Sequence, residues 1–266
     1  DLAEVIPDVP IVRFSPPIVR TQGDPSEAAR AIRSWLGDPG TGKGFEFWKR
    51  RLEEKGVFIF MTSKYRDWSN IGSMAMRGLS IYNDVLPIII INDSDAKKAQ
   101  AFTLFHELGH LVRREHAIDD WGPQDRADEA WCDEFAGNVL MPKEEVLSLV
   151  PGQVDLDSVK EISNKFNTST YACVVRLRQL RVISDATYRR IEEQIQEEYR
   201  EIQRRLRENE GGPRRNRPKE VLNQYGHLFS RVIFQAHNDR ELGLQKMAHL
   251  FGLRRPAQVL EVQSLL

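Results

Sequence analysis

The feature that most restricts the fold of this chain is a pair of histidines four residues apart, in the segment FTLFHELGHLV at residues 102–112. On an α-helix, positions i and i+4 share one face, so His106 and His110 can reach one cation from successive turns. Glu107 lies between them and would point toward the same site. Two imidazoles leave a tetrahedral metal ion with one further protein ligand and one open position to fill. The spacing therefore predicts a metal site on a helix, with Glu107 as the general base of a hydrolytic reaction.

The residues around this motif are apolar, which predicts a buried helix. The apolar positions are Phe102, Leu104, Phe105, Leu108, Leu111 and Val112. Two histidines and a carboxylate on one buried face are costly unless they have a partner. A metal ion explains the motif better than a chance arrangement on an amphipathic helix.

The third ligand is expected on a second helix, which contains DEAWCDEF at residues 128–135. Glu129 and Asp133 are four residues apart, so Glu129 can bind the metal while Asp133 hydrogen-bonds the other ring nitrogen of a ligand histidine. Asp128 and Glu134 are rival ligands, although on a helix they point well away from Glu129. The sequence thus predicts one zinc ion per chain on three side chains: His106, His110 and Glu129.

Composition excludes several other classes of protein. Lys and Arg number 38 against 39 Asp and Glu, so the formal charge of -1 gives no general attraction to nucleic acid. No apolar run approaches the roughly 20 residues that span a bilayer. Two cysteines are too few for a disulfide framework. We therefore expect a soluble, cytoplasmic protein with free thiols.

The pattern of elements predicts an α+β fold. Three short β-branched or aromatic runs, VFIFMTS, MRGLSIY and LPIIIIND, indicate a small antiparallel or mixed three-stranded sheet between helices. We predict a Pro-containing extended arm over 1–23, a zincin-like metallopeptidase domain over 24–182, and a charged helical arm with a helical regulatory module over 183–266. Ser26 is the expected N-cap of the first helix.

These motifs resemble the ImmA/IrrE metallopeptidase family, in which a HELGH helix is followed by a helix ending in FAxxLLMP. In this chain the second motif is EAWCDEFAGNVLMP. The segment GLSIYNDVLPIIIIND resembles that family's edge hairpin, and residues 225–253 resemble the carboxy-terminal module of its longer members. The chain has Cys132 where the family has Ala, and Asp133 where it has Asn. The resulting ExxxD spacing also resembles the gluzincins.

The resemblance implies a function as well as a fold. Family members are zinc endopeptidases that cut helix-turn-helix repressors at specific sites and thereby switch on stress, mobile-element or phage-related genes. It implies Glu107 as the base and the three zinc ligands already named. The alternative is a regulatory protein that binds a repressor or DNA without cutting it, and the intact Glu107 speaks against that. A structural zinc protein is disfavoured because the ligand set leaves an open position.

Two further hypotheses concern cysteine and arginine side chains. A thiolate from Cys132 or Cys173 would act as a latch on the zinc, the alternative being a packed apolar residue. Arg214, Arg215 and Arg217, with Arg204, Arg205 and Arg207 before them, form either a single-stranded DNA contact or a solvated face. The charged helix before them is also a candidate surface for homodimerisation.

The residues that assist the reaction are not fixed by the sequence. Tyr65, Tyr82 and Tyr171 are candidates to donate to the oxyanion, and His116 is a weaker one. The strand LPIIIIND is expected to be buried, and as an edge strand it would also bind substrate by strand addition.

Overall fold

The structure is a computed structural model that describes residues 12–17, 23–62, 76–114, 125–208 and 216–266, with 125, 203 and 205–208 described only as helix. The elements of its first half are α1 (Pro25–Trp35), α2 (Phe45–Glu53), β1 (Phe58–Met61), β2 (Gly78–Ile81), β3 (Ile88–Ile91), α3 (Lys97–Arg113) and α4 (Asp125–Leu140). The later elements are α5 (Lys143–Leu149), α6 (Leu156–Phe166), α7 (Thr170–Gln179), α8 (Asp185–Glu208), α9 (Arg217–Asn238), α10 (Leu244–Leu250) and α11 (Ala257–Gln263). The predicted α+β class is confirmed.

The three strands form one mixed sheet in the order β1-β3-β2. β1 is parallel to β3, whereas β2 and β3 form an antiparallel hairpin that pairs Gly78 with Ile91. The prediction that LPIIIIND supplies an edge strand is wrong, because β3 is the central strand. Its run of four isoleucines is typical of a strand that is paired on both sides and covered on both faces. The edge nearest the HELGH helix is β2.

The two faces of the sheet contact different cores. Ile59 and Met61 of β1, with Ile89 and Ile91 of β3, belong to the large core that contains α3 and α4. The alternate residues Phe58, Phe60 and Ile88 pack instead with the carboxy-terminal helices. Successive strand side chains point to opposite faces, so this short sheet joins the two helical layers.

The carboxy-terminal module attaches to the sheet through a bend in α9. Gly226 has φ 74° and ψ 170°, which interrupts the helix and lays its second part against β1. The Glu53 carboxylate accepts the freed N–H of His227 at 2.8 Å, in the manner of an N-cap. Within the bend, an aromatic cluster of Tyr225, Phe229 and Phe251 packs below Phe60.

The charged helix α8 differs along its length. Tyr188 and Ile191 are buried in the large core, whereas Tyr199 and Ile202 are exposed. The first part of the predicted arm therefore packs on the layer that contains α3 and α4. At the other end of the chain, Phe14 of the predicted amino-terminal arm is also buried in that core. Among the described helices, none combines the length and apolar character needed to cross a membrane.

Local capping explains two smaller differences from the sequence analysis. Asp24, not Ser26, caps α1: its side chain accepts the Ser26 N–H at 2.7 Å, and Pro25 occupies the first helical position. The short helices α5 and α11 were not predicted. Each has only seven residues, too few to show a helical period clearly.

We expect Gly226→Ala to lower the free energy of unfolding by about 3 kcal/mol, because a Cβ would sit in a left-handed conformation and meet backbone. The added atom would lie 2.1 Å from Glu53 Oε1 and 2.8 Å from the Ile59 carbonyl oxygen. Gly243→Ala is the matched control, since nothing lies within 4 Å of its added Cβ and its φ is -77°. Chemical denaturation of both variants measures the difference. If the two variants were equally stable, the bend at Gly226 would not be a fixed structural element.

Candidate metal centre

The site depends on a close crossing of α3 and α4 at Gly109. A Cβ placed there would lie 2.9 Å from Cys132 Sγ and 3.3 Å from a ring carbon of Phe135. The absence of a side chain lets the two helices approach closely enough for α4 to face the histidines. At the far end of the pair, Arg113 forms an ion pair with Asp128 and stacks over Trp131 at 4.9 Å. These contacts set the rotation of α4 and so the position of Glu129.

The crossing brings three potential ligands to one point. His106 Nε2 lies 3.3 Å from His110 Nε2 and 3.0 Å from Glu129 Oε2, and His110 Nε2 lies 3.4 Å from Glu129 Oε1. Tetrahedral zinc with bonds of about 2.0–2.2 Å separates its ligand atoms by about 3.3–3.6 Å. The described residues contain one group of three whose ligand atoms lie within 4.8 Å of one another, and it is this group. Two imidazoles and one carboxylate fit a divalent metal ion.

Asp133 holds the first of these histidines from behind. Its Oδ1 lies 2.9 Å from Nδ1 of His106, the ring nitrogen on the other side from the cluster. A carboxylate at Nδ1 favours the tautomer with its proton there and leaves Nε2 available as a ligand. This is the geometry that the four-residue spacing of Glu129 and Asp133 led us to expect.

The charges in the cluster are strongly coupled. Burial alone would lower the pKa of His106, but hydrogen bonds to Asp133 and Glu129 outweigh it, and together with the nearby Glu107 charge they raise that pKa to about 10. Hydrogen bonds from His106 and His110 hold the pKa of Glu129 far below its ordinary value. Without metal, His106 is therefore a cation, and a metal ion must displace its proton in order to bind.

Glu107 is buried next to the edge strand, in a setting that the sequence analysis missed. Burial raises the pKa of its carboxyl. The charge of His106 and the nearby Ser80 hydroxyl act in the opposite direction, but burial is the larger effect. Ser80 is 1% exposed and faces Glu107, although its hydroxyl makes no hydrogen bond within the described structure. A Cβ at Gly78 would lie 2.6 Å from Glu107 Oε1 and from Thr103 Cγ2. The alternation of β2 gives the signal: 78 and 80 share a face, and both residues are small.

The other candidates from the sequence occupy other places. Asp128 is the partner of Arg113, and Glu134 does not belong to the ligand group of the described residues. The cysteines Cys132 and Cys173 are both buried in the core and are likewise outside that group. Burial raises the pKa of Cys173 to about 12, which keeps it a neutral thiol. Cys132 fills the space over Gly109 as a compact apolar residue.

The candidate oxyanion donors and the arginine cluster are placed only in part. The Tyr82 hydroxyl donates to Asp84 at 2.6 Å, and the Tyr171 hydroxyl lies 3.5 Å from that of Tyr188. Arg217 is bound within the module, to Glu220 at 2.8 Å and to the Gly252 carbonyl at 3.2 Å. The remaining candidates lie outside the described residues, or their side chains do: Tyr65, His116, Arg205, Arg207, Arg214 and Arg215.

The mixed sheet, the HELGH helix and the antiparallel helix that brings Glu129 define a zincin-like metallopeptidase domain followed by a helical module. Residues 53–178 match the family Peptidase_M78, described as the IrrE N-terminal-like domain. This segment is therefore an IrrE-like domain of the kind that the ImmA/IrrE family contains. A comparison with curated proteins found no match. The family match begins after α1, yet Arg33 of α1 donates to the Val139 carbonyl at 2.8 Å, so α1 packs on the matched domain.

Zinc binding near pH 7.5 should release about one proton from His106, because this residue is a cation without metal and must be neutral to coordinate. At every pH below about 10, zinc affinity should therefore rise with pH. Calorimetric titration in two buffers of different ionisation enthalpy counts the protons. Asp133→Asn is the matched control: its proton release should end at a lower pH, since it removes a contact that raises the pKa of His106. Proton release that ends at the same pH in both proteins would contradict the assignment.

The crossing makes a second prediction about Gly109. Gly109→Ala gains about 0.5–1 kcal/mol of helix propensity but incurs about 1–3 kcal/mol of overpacking, so a net loss of about 1 kcal/mol is expected. Adding Cys132→Ala removes the nearest atom, and the two changes should couple by at least about 0.5 kcal/mol in a double-mutant cycle. Cys173→Ala, paired with the same change, should be additive. A rise in basal proteolysis in Cys132→Ala alone, without any gain in zinc content, would instead support the latch.

Proposed function

We propose that this protein is a zinc-dependent endopeptidase that cuts a helix-turn-helix repressor at a specific site and so derepresses stress, mobile-element or anti-phage defence genes. The observation that carries the proposal is the three-ligand group with Glu107 one residue from His106. Membership of a peptidase family supports the hydrolytic chemistry. The repressor substrate rests on the resemblance to that family.

The side chains suit peptide hydrolysis. A bound zinc ion would supply a Lewis acid that polarises the scissile carbonyl and makes the attacking water more acidic. Glu107 accepts the proton of that water and later delivers it to the leaving amine, so no net charge has to leave the site. Burial raises the pKa of Glu107, which makes its carboxylate a stronger base than an exposed one. Asp133 orients His106, and Glu129 completes the ligand set.

The substrate would lie along β2. This strand is an edge of the sheet, and its residues 78 and 80 face Glu107. An extended peptide that pairs with an edge strand presents its carbonyls at regular intervals, which brings one carbonyl to the base and the metal. A folded helix cannot pair in this way. Cleavage would therefore be confined to linkers or locally unfolded segments of the repressor.

The proposal is tested by separating the base from the metal. Glu107→Gln should keep zinc and stability but lose cleavage by several orders of magnitude, because only the proton acceptor is removed. Glu129→Ala should lose zinc as well as activity. Zinc content is measured by elemental analysis, and cleavage by mass spectrometry of candidate helix-turn-helix repressors from the same organism.

Two controls complete the design. Glu134→Gln changes the same type of residue on the same helix outside the ligand group, and it should keep both zinc and activity. The alternative function is binding of the repressor without cleavage. It would be supported if wild type and Glu107→Gln bound the repressor equally and neither one cut it. Undiminished cleavage by Glu107→Gln would reject the mechanism.

A further inference from the structure

A second site lies away from the metal centre, at the contact between the peptidase layer and the carboxy-terminal module. A half-open cavity of about 230 Å³ separates α2 from the first part of α9. Its lining is charged: Lys49, Arg50 and Lys219 are cationic, and Glu46 and Glu53 are acidic. Ligand pockets for drug-sized molecules measure about 300–1,000 Å³, so this cavity suits a smaller ligand.

Two of the lining charges are almost completely buried. Lys49 is 3% exposed and Glu53 is 1% exposed. Lys49 Nζ donates to the Asn223 carbonyl at 2.8 Å, which leaves it two further N–H donors. Glu53 Oε1 accepts the His227 N–H, whereas Oε2 is buried and makes no hydrogen bond within the described structure. Buried charges with unused hydrogen-bonding capacity are costly, so the cavity favours a ligand that satisfies both.

The charge balance defines that ligand. Glu46 already pairs with Lys97 at 3.0 Å, and Glu53 is engaged in capping the bend of α9. Lys49 and Glu53 are close enough for their charges to interact, so Arg50 and Lys219 supply the excess positive charge around the cavity, which favours an oxyanion. Arginine and lysine together are a frequent combination at phosphate groups. Glu53 Oε2, in contrast, requires a donor such as a hydroxyl next to that oxyanion.

We propose that this cavity binds a small phosphate monoester, with its phosphate on Lys49, Arg50 and Lys219 and a hydroxyl donating to Glu53. The ligand would connect α2 of the peptidase layer to α9 of the module. Asn223 already ties these layers, since its carbonyl accepts from Lys49 and its amide donates to Asp93 at 2.9 Å. Binding would therefore stabilise the docking of the module. This proposal does not depend on the peptidase function.

The test uses ribose 5-phosphate as the probe and the full chain as the protein. Calorimetry in about 150 mM NaCl should give saturable binding, with weaker binding of inorganic phosphate and none of ribose. The melting temperature should rise with ribose 5-phosphate and not with an equal concentration of sodium sulfate. Failure to bind either phosphate probe, or an equal response to sulfate, would overturn the proposal.

Variants locate the site. The double variant Arg50→Ala/Lys219→Ala should weaken binding by at least about tenfold, because each residue supplies a charged hydrogen bond to phosphate. Both residues are exposed at the cavity mouth, so the fold should be retained. Lys246→Ala/Arg254→Ala removes the same charge from exposed positions outside the cavity and should change affinity by less than about twofold. Equal weakening by the two double variants would show non-specific attraction and reject the site.

Discussion

The close approach of α3 and α4 is the constraint on which the rest of the site depends. Gly109 has no side chain, so Cys132 and Phe135 pack directly on the HELGH helix. A wider separation would move Glu129 away from the histidines, since the carboxylate is carried by the same face of α4. The small residues in this motif are therefore structural requirements of the metal group. They are not simply gaps between its ligands.

The sheet connects these helices to the rest of the molecule. Each of its strands has only four residues. One face packs on the helices that carry the candidate metal ligands, and the other packs on the carboxy-terminal module. Successive residues of a strand therefore contact opposite layers. Gly78 and Ser80 of β2 face the metal-bearing layer, next to Glu107. The module packs on the other face of β1 and β3. A change in its docking would therefore act on the sheet whose edge strand, β2, is the proposed substrate edge.

The sequence predicted which candidate ligands lie together better than it predicted the packing around them. His106 and His110 followed from helical spacing, which depends only on residues within a few turns of one another. Glu129 followed from its own four-residue spacing to Asp133 and from the family resemblance. The strand order could not be derived in the same way, because pairing between β1 and β3 joins segments about 30 residues apart. The buried pair Lys49 and Glu53 was invisible for a similar reason. Their burial is caused by α9, more than 160 residues further along the chain.

Asp133 shows how one substitution changes the electrostatics of the site. The family pattern has Asn at this position, and an amide would hydrogen-bond the ring of His106 without adding charge. A carboxylate there raises the pKa of His106 and also stabilises that ring once it carries a metal ion. These effects oppose each other in metal binding, since protons compete more strongly while the coordinated state is also favoured. As pH rises, protons compete less for the ring of His106, while the stabilisation of the metal-bound ring by Asp133 does not change. Metal binding is therefore increasingly favoured at higher pH. A metal ion bound here would therefore be retained at neutral or higher pH, and acid should release it more readily than from an otherwise identical site with Asn.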